Sequence, residues 1–531
     1  MPELGERLAE LIEGEEGIVA FITNNSFLDG VAFDGMRKHL AEDCDAIYIL
    51  DLGGNARKGL KVSDANVFGI RVGVSINLFI KEKEDSSDAP QIFYYRTDDL
   101  WDKKQKFDFL NDRQHVGGIE WQPIQPDPRH TWLTEGLRAE FDTFMPIGSK
   151  ETKRPTSGGE TIFRLYSCSV VTSRDRLVYS DDLKLLQKRV HAFIEIYNTA
   201  VDRKRRHDPK APIEDFIDTN DPRIKWSRQV KASLKKLELS SYEESHFRTA
   251  LYRPFCQKYL YFDNFWNEER YQQHRILPTP ENEAENRQII VSDHGFRSGF
   301  NTLMTNLIPD LHTLAASDSF QCFPFYTYDE DGTNHRENIT DWALTQFRTH
   351  YKDEAISKWD IFHYVYGILH HPDYREKYQA NLKRDLPHIP FAPSAKDFWG
   401  FANAGARLAE IHVNYESQPE YDKLKLVQNP NVPLNWRVEK MKLSKDKTSL
   451  VYNDFLILDG IPTKTYDYRL GTRSALEWVI NQYCVKTDKR SGIVNDPNRA
   501  NDPQYIVRLI GQVITVSLET VGIVAKLPKL R

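Results

Sequence analysis

The chain has 531 residues, 28% of them charged and 40% hydrophobic, with a formal net charge of −6. This is the composition of an ordinary globular protein with room for roughly two to four domains, and it excludes a disordered or fibrous chain. The five cysteines are odd in number and far apart. They suggest neither a disulfide framework nor a metal site, and they fit a reducing cytoplasm.

Charge is unevenly spread. Residues 1–100 carry 19 acidic and 10 basic side chains, whereas residues 151–250 carry 15 acidic and 20 basic. A basic region inside an acidic protein is compatible with a DNA-facing cleft, although a solvated face is the commoner reason for mild charge asymmetry. The N-terminus lacks a basic region leading into an apolar run, so no signal peptide is expected. The apolar stretch Ile506 to Leu518 is interrupted by Arg508 and Gln512 and reads as too short to span a membrane.

In chain order, residues 5–13 repeat apolar side chains at helical spacing. Gly17 to Thr23 is a short apolar run, predicted as a strand buried on both faces. Ser26 can cap a helix running to about Ala41, and Ala46 to Asp51 reads as a second buried strand. Helix, strand, helix, strand at this spacing predicts a doubly wound α/β unit. Val72–Ile80 and Gln91–Arg96 flank a charged turn and predict a hairpin at the sheet edge. Residues 112–160 are rich in Pro, Gly, Asp and Thr and mark a domain boundary. Beyond it, strands are expected around 161–179 and a helix near 181–200. Further helical patterns fall at 240–251, 340–351, 357–383, 397–413, 472–484 and 503–511. There is no internal repeat.

Asp51-Leu-Gly-Gly54 imitates a cofactor loop, but Ala56 to Lys61 after it is a basic loop rather than the start of a helix. His363, His370 and His371 have no partner set for a metal. Neither a Gly-x-Ser-x-Gly elbow nor a phosphate-binding loop is present. The segments where aromatic and basic residues mix are Thr172 to Asp175, Ile224 to Arg228 and Tyr252 to Asp263. With the basic run Arg203 to Arg206, they nominate Thr172, Arg174, Lys204, Arg205, Lys225, Arg228, Arg253 and Lys258 as DNA-contacting residues, with Arg473 as a further candidate behind Arg174 and Arg253. Core packing and internal ion pairs are the competing reading of the same residues.

Gly17 to Gly30, Phe33 to Leu40 and Asn66 to Ile76 resemble the later half of the adenine-N6 methyltransferase domain of type ISP restriction-modification enzymes. Thr172 to Asp175, Tyr252 to Asp263, Tyr364 to Arg375, Tyr468 to Tyr483 and Ser491 to Asn498 resemble that family's C-terminal specificity region. The resemblance implies an α/β chain in three parts. Residues 1–115 would be the distal part of a Rossmann-like class I methyltransferase domain, 116–160 a linker, and 161–531 a mixed α+β target-recognition domain. It implies sequence-specific recognition of double-stranded DNA that directs adenine-N6 methylation. The partner would be an upstream methyltransferase, helicase and nuclease portion, in cis or as a separate chain. Phe68 resembles the residue that stacks on the flipped base. The family's Phe-x-Gly-x-Gly and Asn-Pro-Pro-Tyr motifs are absent from this chain. S-adenosylmethionine is therefore expected in the intact enzyme and not on this chain alone, and no catalytic residue is assigned. The alternatives are a free-standing methyltransferase using Asp51, Gly53 and Gly54 on a non-DNA substrate, an inert remnant, and a purely structural interaction module.

Overall fold

The computed structural model describes residues 16–54, 66–70, 72–82, 90–98, 100–153, 159–316 and 318–530. The helix expected at 5–13 and the basic loop 56–61 lie outside these residues. The chain divides into two compact units, Met1–Leu137 and Arg138–Arg531.

The first unit is a five-stranded mixed sheet. Its elements are β1 (Gly17–Asn24), α1 (Asp34–Asp43), β2 (Ala46–Gly53), β3 (Val74–Lys81), β4 (Gln91–Arg96), α2 (Lys103–Arg113) and β5 (Gln122–Ile124). The spatial order is β1-β3-β2-β4-β5. β3 runs antiparallel to both β1 and β2, while β2 and β4 are parallel. The carboxyl ends of β1, β2 and β4 therefore share one edge of the sheet.

The structure departs from three expectations. β3 and β4 form no hairpin, because β2 lies between them. The nine residues joining them reach roughly 30 Å, ample to cross one strand at about 4.8 Å spacing. Nor is β1 buried on both faces. As the edge strand it alternates, leaving Ile18 and Ile22 exposed at 65% and 54%. Asn24, rather than Ser26, caps the short 3-10 turn that follows, and α1 begins only at Asp34.

The segment expected as a linker is built into the two units. β5 pairs with β4, and Trp132 is wholly buried in the first core. Phe141, Met145 and Ile147 enter the second core. Its Pro and Gly content hid these large apolar side chains, whose burial favours order.

In the second unit, α3 (Leu183–His207) starts on the Asp182 cap and buries Leu186, Val190, Phe193 and Tyr197. β6 (Phe247–Arg253) and β7 (Cys256–Tyr261) form an antiparallel pair, so the helix expected at 240–251 is a strand. β8 (Gln288–Ser292) lies between β9 (Thr302–Thr305) and β10 (Phe320–Pro324), antiparallel to both. The 357–383 pattern breaks at Pro372. α4 (Lys358–His370) ends before it, and two short helices follow. α5 (Ala395–Val413) crosses α4 in close contact. α6 (Tyr505–Val524) is 20 residues long, far beyond the 503–511 pattern. By length and composition alone α6 passes as a membrane span, but more than half of that window is buried in the second unit's own core.

Packed among α4, α5 and α6 is a buried histidine pair. His412 joins the Tyr366 hydroxyl through Nδ1 at 2.6 Å and the Thr520 hydroxyl through Nε2 at 2.9 Å. Burial pushes His412 down to about 3, and burial next to the Arg375 cation pushes His370 well below the usual range. Both histidines fold neutral, so below about pH 6.5 the unfolded chain binds protons that the folded chain does not. Their contribution to stability is present above that pH and is lost as pH falls toward the folded value. Each histidine should steepen the decline by up to about 1.4 kcal/mol per pH unit. Denaturant midpoints between pH 7 and 5 should fall steadily; a flat profile would contradict neutral burial of this pair.

Candidate nucleic-acid interface

At the carboxyl edge of the first sheet, Asp51 is 1% exposed. Its carboxylate accepts from Asn25 Nδ2 at 2.7 Å, Gly53 N at 2.8 Å, Tyr94 hydroxyl at 2.9 Å and Arg96 at 2.6 Å. Burial pushes the Tyr94 phenol up, and the Asp51 charge adds to it. With four donors around it and no exposure, this carboxylate does not fit the task of holding a cofactor hydroxyl. The free-standing cofactor-loop reading of Asp51, Gly53 and Gly54 loses its key residue.

The neighbouring turn does present a side chain outward. Asn66 donates to Gly54 O at 3.1 Å and Val72 O at 2.6 Å, and accepts from Phe68 N at 2.9 Å and Ile70 N at 3.2 Å. Gly69 sits at φ +68°, where glycine carries no Cβ penalty. The result holds Phe68 and Ile70 in solvent, 56% and 45% exposed. Phe68 is thus not a core residue.

Most of the second unit's nominated side chains are engaged within the fold. Arg174 is 2% exposed, and donates to Trp266 O and Ser227 Oγ, each at 2.6 Å. It also faces Glu268 at 3.5 Å. Burial lowers its guanidinium to about 10, still charged at neutral pH. Thr172 bonds Asp175. Lys204, buried, closes the turn after α3 through Pro209 O and Ala211 O. Arg253 pairs with Asp310 at 2.6 Å and lies over the Tyr252 ring, and Lys258 pairs with Asp181 at 2.7 Å. Contact with DNA by any of these five would require breaking a buried interaction, so each is corrected to a structural part.

The remaining four reach the surface. Arg205 is half exposed beside Asp202, and Lys225 and Arg228 are exposed, Lys225 donating to Ser173 O. Arg473 is half-buried, stacked on Trp478 at 4.9 Å.

A side chain missed in the sequence stands on the turn between β8 and β9. Arg297 is exposed there, on a segment fixed from beneath by buried Phe296 and Phe300. The signal was local: Asp293-His-Gly-Phe-Arg-Ser-Gly299 places an arginine between two glycines within a strand–turn–strand pattern.

The second unit is a mixed α/β fold of several small sheets and helices. The family model described as the type ISP C-terminal specificity domain matches residues 161–509. The chain belongs to that family. Among solved structures it is similar to a nuclease-deletion mutant of the type ISP restriction-modification enzyme LlaGI in complex with a DNA substrate mimic. There the identity is 30% and the TM-score 0.79, over 97% of this chain and 47% of that one. It is similar to the ATP-dependent type ISP restriction-modification enzyme LlaBIII bound to DNA, with 31% identity and TM-score 0.80, over 97% and 33%. It is also similar to a DrdV–DNA complex, with 34% identity and TM-score 0.82, over 99% and 52%. The chain therefore spans about half of the LlaGI and DrdV chains and a third of the LlaBIII chain. No curated protein matches it in sequence.

Proposed function

We propose that this chain reads the sequence of double-stranded DNA and so directs adenine-N6 methylation as the C-terminal part of a larger restriction-modification enzyme. In this reading the first unit is the distal part of a Rossmann-like methyltransferase domain. An upstream methyltransferase, helicase and nuclease portion completes it, in cis or as a separate chain, in the cytoplasm. S-adenosylmethionine belongs to that upstream half. The observation that carries the reading is the specificity-domain match, joined to DNA-bound neighbours that cover 97–99% of this chain. The exposed Phe68 on its pinned turn supports a stacking role for a base taken out of the duplex, since an aromatic face in solvent is suited to that contact.

The division of labour is testable with labelled S-adenosylmethionine and mixed-sequence duplex. The purified chain should transfer no label, because the acidic loop at Asp51 is closed by its own hydrogen bonds. Transfer to adenine by this chain alone would overturn the proposal that an upstream half is needed.

A further inference from the structure

We propose that the turn Asp293 to Asn301 is a base-reading element and that Arg297 is its reading side chain, recognising a guanine edge in duplex DNA. This rests on the DNA-recognition reading above and adds the element that performs it.

The turn is rigid by construction. The Asp318 carboxylate, 5% exposed, accepts from Arg297 N at 3.1 Å, Ser298 N at 3.0 Å and Ser298 Oγ at 2.5 Å. Gly295 N donates to Lys383 O at 2.6 Å, and Asp293 N to Ser319 O at 3.0 Å. Phe296 and Phe300 are 5% and 9% exposed, plugging the turn into the largest core. Backbone and apolar side chains are thereby fixed while the Arg297 side chain is left outside.

The Arg297 side chain is presented to solvent. Arg297 is exposed, and no ion pair or side-chain hydrogen bond engages it among the described residues, in contrast to Arg174 and Arg253. The planar guanidinium fork of an arginine matches guanine O6 and N7. His294, 56% exposed, stands on the same turn with Nδ1 at 2.8 Å from Asp293. Tyr271 approaches from the adjoining segment, 42% exposed and at φ +44°, a conformation a bulky residue adopts only under constraint. Burial pushes its phenol up. Gly295 and Gly299, at φ +76° and +89°, have nothing within 4 Å of where a Cβ would sit. The turn's outer backbone is therefore open to close approach.

The test is selection of bound sequences from a randomised duplex library by the full chain, followed by titration on the selected and a scrambled duplex. Wild type should select a motif. Arg297→Ala should lose preference at one G·C pair and bind the motif about 5- to 150-fold more weakly. Its affinity for scrambled duplex should stay within about twofold, and its unfolding midpoint should not move. Arg297→Lys should keep the scrambled affinity without restoring the preference, since it lacks the fork. An Arg297→Ala chain that selects the same motif with wild-type affinity would overturn the proposal. So would an equal loss on every duplex, which marks a phosphate contact. If wild type itself selects no motif, the DNA-recognition reading fails and this inference falls with it.

Discussion

Replacing Gly405 with Ala is expected to destabilise the second unit by about 3 kcal/mol or more, among the largest effects of any single methyl group in this protein. A Cβ there would lie 1.9 Å from His363 O and 3.0 Å from Gly367 N, both backbone atoms of α4. Neither can rotate aside, so α4 and α5 must separate. That in turn loosens the aromatic packing of Tyr364 against Phe398 and Phe401 across the same crossing. Ala is otherwise the better helix former by about 1 kcal/mol, which offsets only part of the loss. Gly522 in α6 has nothing within 4 Å of its Cβ position, so Gly522→Ala should be neutral or mildly stabilising. Urea midpoints of the two variants distinguish the effects. If Gly405→Ala unfolds with wild type, the close helix crossing is not as described.

The second large effect concerns Arg174. Its guanidinium ties the segment after Thr172 to Trp266 and Ser227 from inside the fold and lies 5.6 Å from the Trp266 ring centre. Arg174→Ala should cost about 3 kcal/mol, the range for removing one member of a buried charged network. The loss combines a cavity with an unpartnered Trp266 carbonyl. It should appear in the unfolding midpoint while the surviving folded protein discriminates DNA sequences as wild type does. Intact stability combined with lost discrimination would restore Arg174 as a base reader.

The contrast between Arg174 and Arg297 explains how far the sequence could be read. Arg174 stood out as a basic residue in a conspicuous segment, yet its partners Ser227 and Trp266 lie 53 and 92 residues away. Nothing local announces such burial. Arg297 was announced locally by the glycines around it, but a short turn lacks the density of basic and aromatic residues that drew attention elsewhere.

Local chemistry also decided which elements were legible. α4 and α5 were readable because apolar spacing coincided with self-contained caps, Ser357 with Asp360 and Ser394 with Asp397. The helical pattern at 240–251 failed because Phe247 to Arg253 gains its pairing from β7. Tertiary pairing outweighed the weaker local preference. Likewise β3 takes its place between β1 and β2 from contacts with both, which no spacing within 72–96 specifies.

The resemblance carried the family assignment, and the specificity-domain match bears it out. The individual site residues it suggested depend on exposure, which family likeness does not specify.

Whether this chain reads duplex DNA is tested most directly by its affinity for the selected and the scrambled duplex across a salt series. If exposed cations such as Arg205, Lys225 and Arg228 meet phosphates, log affinity should fall linearly with log salt on both duplexes. At each salt concentration the selected duplex should bind at least about a thousandfold more tightly. Salt-insensitive binding, or equal affinity for the two duplexes, would contradict sequence recognition by this chain.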